Sequence, residues 1–513
     1  MLATTLSSTL IGIDGSLVKV EIYISPGLPV FNIVGLPDVS VRESRQRIIA
    51  AIKNSGYIFP AKKVTVNLAP ADLRKEGSLF DLPMALGILI ATEQIQSDRL
   101  SKYISLGELS LSGKLCRVKG VLPSVIMAKK ENLEGCIVPE KNYNEANIVG
   151  GINIIAVKNL NEAAEFCMGN YEPAPSGEGE EKTALNSEIN YAFDMADVKG
   201  QDCAKRALEI AAAGGHNLLM IGPPGAGKTM LAKRLPSILP DLSMEEALET
   251  TKIHSVASLL PAKFALITQR PFRSPHHTIS DVALVGGGTY PRPGEVSLSH
   301  NGVLFLDELP EFHRNALEVL RQPLEDKHVV ISRAAQTIAY PAKIMFVAAM
   351  NPCPCGYNGS KQKECACNSY QIRKYMNKVS GPMWDRIDLH IEVPELERGD
   401  MSQRAKGESS LVVRERVCKA RDAQKKRFSG SLIITNSEMG SKELEKYCAL
   451  DAEGIKILDQ AMERFNFSAR AYTRIIKVAR TIADLDESEN VLSEHIMEAV
   501  QYRNLDRNGI VGI

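Results

Sequence analysis

No apolar run in this chain approaches the ~20 residues that a membrane-spanning helix needs. The nearest candidate, Leu82 to Ala91, is far too short. The N-terminal MLATTLSSTL has neither the basic start nor the long apolar core of a secretory signal. A cytoplasmic protein without membrane contact is therefore expected. Net charge is missing too: 61 Lys and Arg balance 61 Asp and Glu. That excludes a protein that coats nucleic acid by bulk charge, so any such contact has to come from a local basic stripe. No internal repeat is visible. The ten cysteines do not suggest a disulfide framework, because the chain is large and expected in a reducing compartment.

What is present is an ordinary globular composition, 44% hydrophobic and 24% charged. The 513 residues suggest roughly three domains at about 150 residues each. Residues 1–168 alternate strand-like and helical runs. VKVEIYI (18–24) and KVTVNLA (63–69) read as strands. SVRESRQRIIAAIKNSG (40–56) reads as a helix with Ser40 as N-cap and Gly56 as its stop. Residues 169–190 lose apolar content and gain Pro, Gly and Glu, which is linker chemistry. An α/β region follows at 191–396, a second polar linker at 397–410, and a mainly helical region at 411–513 in which Ser493 is the expected cap of the last helix. The basic segment VVRERVCKARDAQKKRF (412–428) is either a phosphate-backbone contact or a solvated helix face.

The sharpest signal is GPPGAGKT, residues Gly222, Pro223, Pro224, Gly225, Ala226, Gly227, Lys228 and Thr229. It fits G-x-x-x-x-G-K-[ST] and sits between the apolar run NLLMI (217–221) and a helical MLAKRL, the strand–loop–helix context that the motif requires. The glycines let backbone N–H groups turn inward around phosphate. Lys228 is expected on the β- and γ-phosphates of ATP and Thr229 on Mg²⁺. VLFLDEL (303–309) supplies the second half: Asp307 would hold the Mg²⁺ shell and Glu308 would polarise the attacking water. A third strand, KIMFVAAMN (343–351), ends on Asn351, an amide placed to sense the γ-phosphate or simply to start a turn before Pro352.

The segments FDMADVKGQDCAKRALEIAAAGGHNLLMIGPPGAGKT (193–229), FRSPHHTISDVALVGGG (272–288) and LSHNGVLFLDELPEF (298–312) resemble the magnesium-chelatase-like branch of AAA+ ATPases. Within it, NPCPCG (351–356) and SGPMWDRIDLHIEV (380–393) resemble the ComM/YifB family. The resemblance extends over essentially the whole chain. It implies a central AAA+ P-loop α/β domain, a C-terminal helical lid, and a hexameric ATPase acting on single-stranded or branched DNA. ComM-type members are described as helicases supporting branch migration in natural transformation. The alternative is an ATPase subunit of a metal-chelatase-type complex. On the family pattern Arg386 matches an arginine finger and Arg470 a sensor-2 arginine, both completing catalysis between subunits. The stretches RSPHHTISDVALVGGG (273–288) and HVVISRAAQTIAYPAK (328–343) match pore-facing elements, with Arg333 either a DNA contact or a solvated strand residue. Adjacent His276 and His277 should point apart and do not read as a metal pair.

GELSLSGKLCRVKGVLP (107–123) and DLRKEGSLFDLPMAL (72–86) resemble the Lon protease domain, which implies an N-terminal ribosomal S5/Lon-like α+β fold. Its Ser–Lys dyad is displaced here. Leu79 stands at the serine position and Leu122 at the lysine position, with Ser78 one residue off and Lys119 three residues early. A dyad must meet within hydrogen-bond reach, so a non-proteolytic domain is expected. Finally, Cys353, Cys355, Cys365 and Cys367 form C-x-C, nine residues, C-x-C. Four thiolates can close a tetrahedral Zn²⁺ site in an insertion with little core of its own, or remain reduced thiols in a loop.

Overall fold

The structure, a computed structural model, describes residues 1–171, 191–260, 266–288, 291–333, 336–360, 363–395, 407–465 and 467–503. Most of the linkers expected at 169–190 and 397–410 lies outside the described residues. No helix among those described is long and apolar enough to cross a membrane.

The chain forms two compact units, Met1–Glu188 with Met244–Thr268, and Ile189–Ser243 with Gln269–Ile513. The first is built on seven strands: β1 (Leu2–Ile11), β2 (Asp14–Ser25), β3 (Phe31–Val34), β4 (Lys63–Ala69), β5 (Tyr103–Ser105), β6 (Gly135–Pro139) and β7 (Asn153–Val157). They lie in the order β3-β4-β2-β1-β5-β6-β7. β1 pairs antiparallel with β2 and parallel with β5, so the sheet is mixed. Side chains alternate across it. On β1, Thr5 bonds the Pro83 carbonyl at 3.1 Å and Ser8 meets Ser124 at 2.6 Å, which places helix Asp81–Ala91 on one face and helix Val121–Lys130 on the other. Between the sheet and helix Val39–Asn54, every residue of the Leu82–Ala91 run but Ile90 is buried, and this explains its unbroken apolarity. A Cβ on Gly87 would stand 2.1 Å from Ile22 Cδ1, so a larger residue here would have to displace the Ile22 side chain. Helix Val39–Asn54 begins two residues earlier than expected: Asp38, not Ser40, is its N-cap and accepts from the Val41 N–H at 2.8 Å.

Residues 191–396 were expected as one continuous region, yet Met244–Thr268 packs with the first unit. Helix Met244–Val256 buries Ala247, Thr250, Thr251 and Ile253 there, Ser255 donates to Glu145 at 2.6 Å, and Lys252 pairs with Asp14 at 2.9 Å. Nothing in its local pattern distinguishes these partners from those of an AAA+ core.

The second unit carries β8 (Leu218–Ile221), β9 (Phe272–Arg273), β10 (Val303–Leu306), β11 (His328–Arg333), β12 (Gln336–Pro341), β13 (Met345–Met350) and β14 (Leu389–Glu392). Five form a parallel sheet in the order β9-β10-β13-β8-β14, and β11 and β12 make a separate hairpin. The central strands are buried along their whole length, as parallel strands covered on both faces must be. The helical region was expected to be set apart by a linker but shares this core. Val413, Val417, Leu458, Ile475, Ile482 and Ile496 pack in one cluster with Leu218, Val303, Val347 and Leu389. The last helix, Ser493–Gln501, is entered from Leu492 rather than capped by Ser493, with His495 Nδ1 accepting the Leu492 N–H at 2.9 Å.

A buried charge cluster fastens these helices. Asp484 receives Arg480 at 2.8 Å, Arg427 at 2.8 Å and the Asn436 amide at 2.8 Å. Asp484→Ala would leave two guanidinium groups without their carboxylate and should cost about 3–5 kcal/mol. Urea unfolding followed by the fluorescence of the single Trp384, in the same unit, measures it.

Candidate functional site

β8 ends at Ile221, and the next residue must be a glycine, because a Cβ on Gly222 would lie 2.1 Å from the Val393 carbonyl oxygen. Gly225 and Gly227 take left-handed φ values of 81° and 87°. Gly227 is the N-cap of helix Lys228–Ile238, whose free N–H groups open towards the loop Gly222–Thr229. The loop is held from outside by Gln201, itself at φ 57°, which donates from Nε2 to the Ala226 carbonyl at 2.6 Å. Gln201 belongs to the quoted entry segment, but no local pattern assigns it this task.

The parallel sheet brings three strand ends to this loop. Lys228 Nζ donates to the Gly222 and Pro223 carbonyls at 2.6 and 2.9 Å and to Asn351 Oδ1 at 3.1 Å. Burial pushes its ammonium below the usual lysine range, while Asp307 and then Glu308 act against that shift. The Thr229 hydroxyl donates to Asp307 Oδ2 at 2.6 Å. A hydroxyl and a carboxylate meeting beside a phosphate loop form a donor set that fits Mg²⁺, a hard cation that takes oxygen ligands. Lys228 thus meets Asn351, and Thr229 meets Asp307, at one end of the parallel sheet.

Glu308 follows at φ 54°, a left-handed conformation that turns the chain sharply after β10. Its carboxylate is half exposed and lies 3.4 Å from Nδ1 of His277. His276 and His277 do not point apart. A turn closed by the Ile279 N–H on the His276 carbonyl at 3.0 Å stacks the two rings at 4.1 Å. Alternation of side chains applies to an extended strand and fails across such a turn.

Arg386 and Arg470 are not brought to this loop. Arg386 precedes β14, at the amino ends of the strands, where it pairs with Glu325 at 2.7 Å and donates to the Pro382 carbonyl at 2.7 Å. Arg470 lies 3.6 Å from Asp385, the residue before Arg386. Next to them Asp388 is gripped by Arg474. Burial opposes its ionisation, yet Arg474 and His216 hold the carboxyl well below the usual carboxylate range. The strand rise of ~3.3 Å per residue puts roughly 10 Å of sheet between this cluster and the phosphate loop. Arg333 ends β11 at the tip of the β11–β12 hairpin, paired in register with Gln336; its side chain lies outside the described residues.

The four cysteines converge. Cys353, Cys355 and Cys365 sulfurs are separated by 3.3 to 3.6 Å, and all four, with Cys367, lie within 4.8 Å of one another. A disulfide would need about 2.05 Å, whereas a tetrahedron of 2.3 Å Zn–S bonds has edges of ~3.8 Å. The donor set therefore fits zinc. The same turn touches the phosphate loop, since a Cβ on Gly356 would lie 2.7 Å from Pro224 Cδ. A cleft of about 670 Å³, lined by Phe312, Arg314, Tyr370, Arg373, Lys374 and Lys378, opens between the turn after Glu308 and helix Ser369–Met376. Its residues come from two distant stretches, and sequence reading missed it.

In the first unit, the Ser78 hydroxyl is bonded to the Glu108 carboxylate, not to a lysine. Lys75 is buried, donating to the Pro70 and Leu73 carbonyls.

Known proteins match along the whole chain. The family described as magnesium chelatase, subunit ChlI, matches residues 194–401, its C-terminal part 407–503, and a further description of subunit ChlI matches 20–142. With the parallel sheet and phosphate loop, these matches define a magnesium-chelatase-like protein of the AAA+ class. The chain is 44% identical over 508 residues to the competence protein ComM of Haemophilus influenzae, covering 99% of this chain and 98% of that one. It is 44% identical over 502 residues to YifB of Escherichia coli, covering 97% and 96%. The chain belongs to the ComM/YifB family. A segment of 152 residues is 30% identical to Lon protease 2 of Bacillus subtilis, covering 27% of this chain and 26% of that protein.

Proposed function

We propose that this protein is an ATP-hydrolysing ring motor that acts on DNA. One observation carries the reading: the phosphate loop, Asp307, Glu308 and Asn351 stand at the carboxyl ends of the strands, while Arg386 and Arg470 stand at the amino ends. One chain holds a binding half and a donor half that it cannot join. A closed ring of copies, a hexamer on the family resemblance, joins each half to its complement.

Mg²⁺ held by Thr229 and Asp307 would neutralise phosphate charge. Lys228 and Asn351, already in contact, would hold the γ-phosphate oxygens in exchange for their present partners. Glu308 accepts a proton from the attacking water as its oxygen bonds to the γ-phosphorus. The bond to the bridging oxygen breaks, its electron pair leaves with ADP, and the proton passes to the released phosphate. Arg386 and Arg470 of the adjoining copy would stabilise charge in transit.

The direction towards DNA is supported by full-length likeness to a competence protein, by the β11–β12 hairpin, and by the basic cleft with exposed Tyr370, a combination suited to single-stranded backbone and base stacking. The metal-chelatase alternative is supported by the family descriptions, whereas the 44% likeness to ComM spans the N-terminal unit and the cysteine turn as well. Cys353, Cys355, Cys365 and Cys367 would hold a structural Zn²⁺, which would stiffen the turn that lies against Pro224. The first unit, with an S5/Lon-like fold and no dyad, serves as a non-proteolytic platform.

ATPase assays with and without branched DNA test the motor: DNA should stimulate the rate, and Glu308→Gln should lower it by about a hundredfold or more. Mixing Lys228→Ala chains with Arg386→Ala chains should restore part of the activity, which neither has alone. No DNA binding at low salt, where phosphate contacts are strongest, would reject the DNA reading. Elemental analysis of protein purified without chelator should find about one zinc per chain, lost in Cys365→Ser. Casein should remain intact; cleavage abolished by Ser78→Ala would overturn the non-proteolytic reading.

A further inference from the structure

One wall of the 670 Å³ cleft is a single face of a single helix. Tyr370, Arg373, Lys374 and Asn377 follow one another at the i, i+3, i+4, i+7 spacing that aligns side chains along helix Ser369–Met376 and its C-cap, and all four line the cleft. Tyr375 and Met376 are buried and hold the helix to the core. Its start is fixed by Asn368, which follows Cys367 directly and closes a capping box with Gln371 at 2.8 and 3.0 Å. At its end Lys378 crosses to Glu311 on the opposite wall at 3.0 Å. The cleft is therefore formed before any ligand arrives.

Its lining departs from the balance of the chain, in which 61 bases meet 61 acids. Arg314, Arg373, Lys374 and Lys378 face one carboxylate, Glu311, and Lys378 takes it. No ion pair among the described residues reaches Arg314, Arg373 or Lys374. Beside them the Tyr370 residue is 73% exposed, a large ring left in water on a rigid helix. A second cleft, of about 410 Å³, shares His313 and Arg314 with the first and runs on to Thr278, Ile279 and Ser280. A groove of that extent suits a polymer rather than a lone nucleotide.

We propose that this groove binds single-stranded DNA, with Tyr370 stacked on a base and Arg314, Arg373 and Lys374 on the phosphates that flank it. This rests on the reading of the protein as acting on DNA, and it names a site for the strand apart from the β11–β12 hairpin. Unneutralised cations supply the sequence-independent attraction to the backbone. An exposed ring adds a preference for single strands, because a duplex keeps its base faces stacked on one another.

The test is fluorescence anisotropy of a labelled thymidine oligonucleotide with the full chain, over a range of salt concentrations. Tyr370→Ala should raise Kd about fivefold or more, and Tyr370→Phe should stay within about twofold of wild type, since stacking needs the ring and not the hydroxyl. Arg373→Ala combined with Lys374→Ala should raise Kd about tenfold or more at low salt. It should also cut the slope of log Kd against log salt by about 1.4, the share of two single-strand phosphates. Glu311→Gln, which removes the cleft's carboxylate, should tighten binding about twofold or more. The Kd for fluorescent ADP should stay within about twofold throughout, which separates a lost site from a lost fold. Unchanged affinity in either loss variant, a Phe variant no better than Ala, or an unchanged salt slope would each overturn the proposal and leave the DNA reading standing. If the wild-type chain binds no single strand at low salt, the two fall together.

Discussion

The geometry of the second unit depends on the pairing of one short strand on both of its edges. Leu218–Ile221 hydrogen-bonds to Val347–Met350 on one side and to Leu389–Glu392 on the other, all three parallel and in step. Parallel registry makes the carboxyl ends of neighbouring strands coincide, so groups far apart in sequence arrive at one place without any local signal. Lys228 meets Asn351 across 123 residues, and Thr229 meets Asp307 across 78. The same registry sends the residues just before β14 to the opposite edge, which is why Arg386 cannot serve its own loop. Gly222 belongs to this constraint as well, since only a residue without a side chain passes the Val393 carbonyl.

That constraint explains how much could be read from the residues in order. Gly222–Thr229, Asp307 and Asn351 were legible because each sits at the end of a continuous apolar run, and such runs announce buried parallel strands. Features that arise between distant stretches were not legible. Gln201 under Ala226, the Gly356 turn against Pro224, and the cleft that joins Arg314 to Arg373 have no local pattern. Smaller errors had local causes. Asp38 outcompeted Ser40 as a cap because its carboxylate also accepts the Ser40 hydroxyl at 2.9 Å and the Gly77 N–H at 3.3 Å. The histidine pair was misjudged because a turn, not a strand, carries it.

The helical C-terminal region shows a different limit of sequence order. A polar stretch at 397–410 suggested independence, but polarity reports only that a connection is exposed. The helices beyond it complete the hydrophobic core under the sheet, and the Arg427–Asp484–Arg480 cluster lies among them. A helical region that shares its core with the parallel sheet transmits strain in either direction, because close-packed interiors have little slack to absorb a shift.

The excursion of Met244–Thr268 into the first unit has a consequence for how this protein can be taken apart, by a protease or by evolution. The chain passes between its two units three times rather than once. A chain beginning at residue 189 would keep helix Met244–Val256 but lose the residues that cover Ala247 and Ile253. Shedding the first unit therefore demands a compensating change inside the stretch that encodes the second unit, and two separate losses are harder to reach than one.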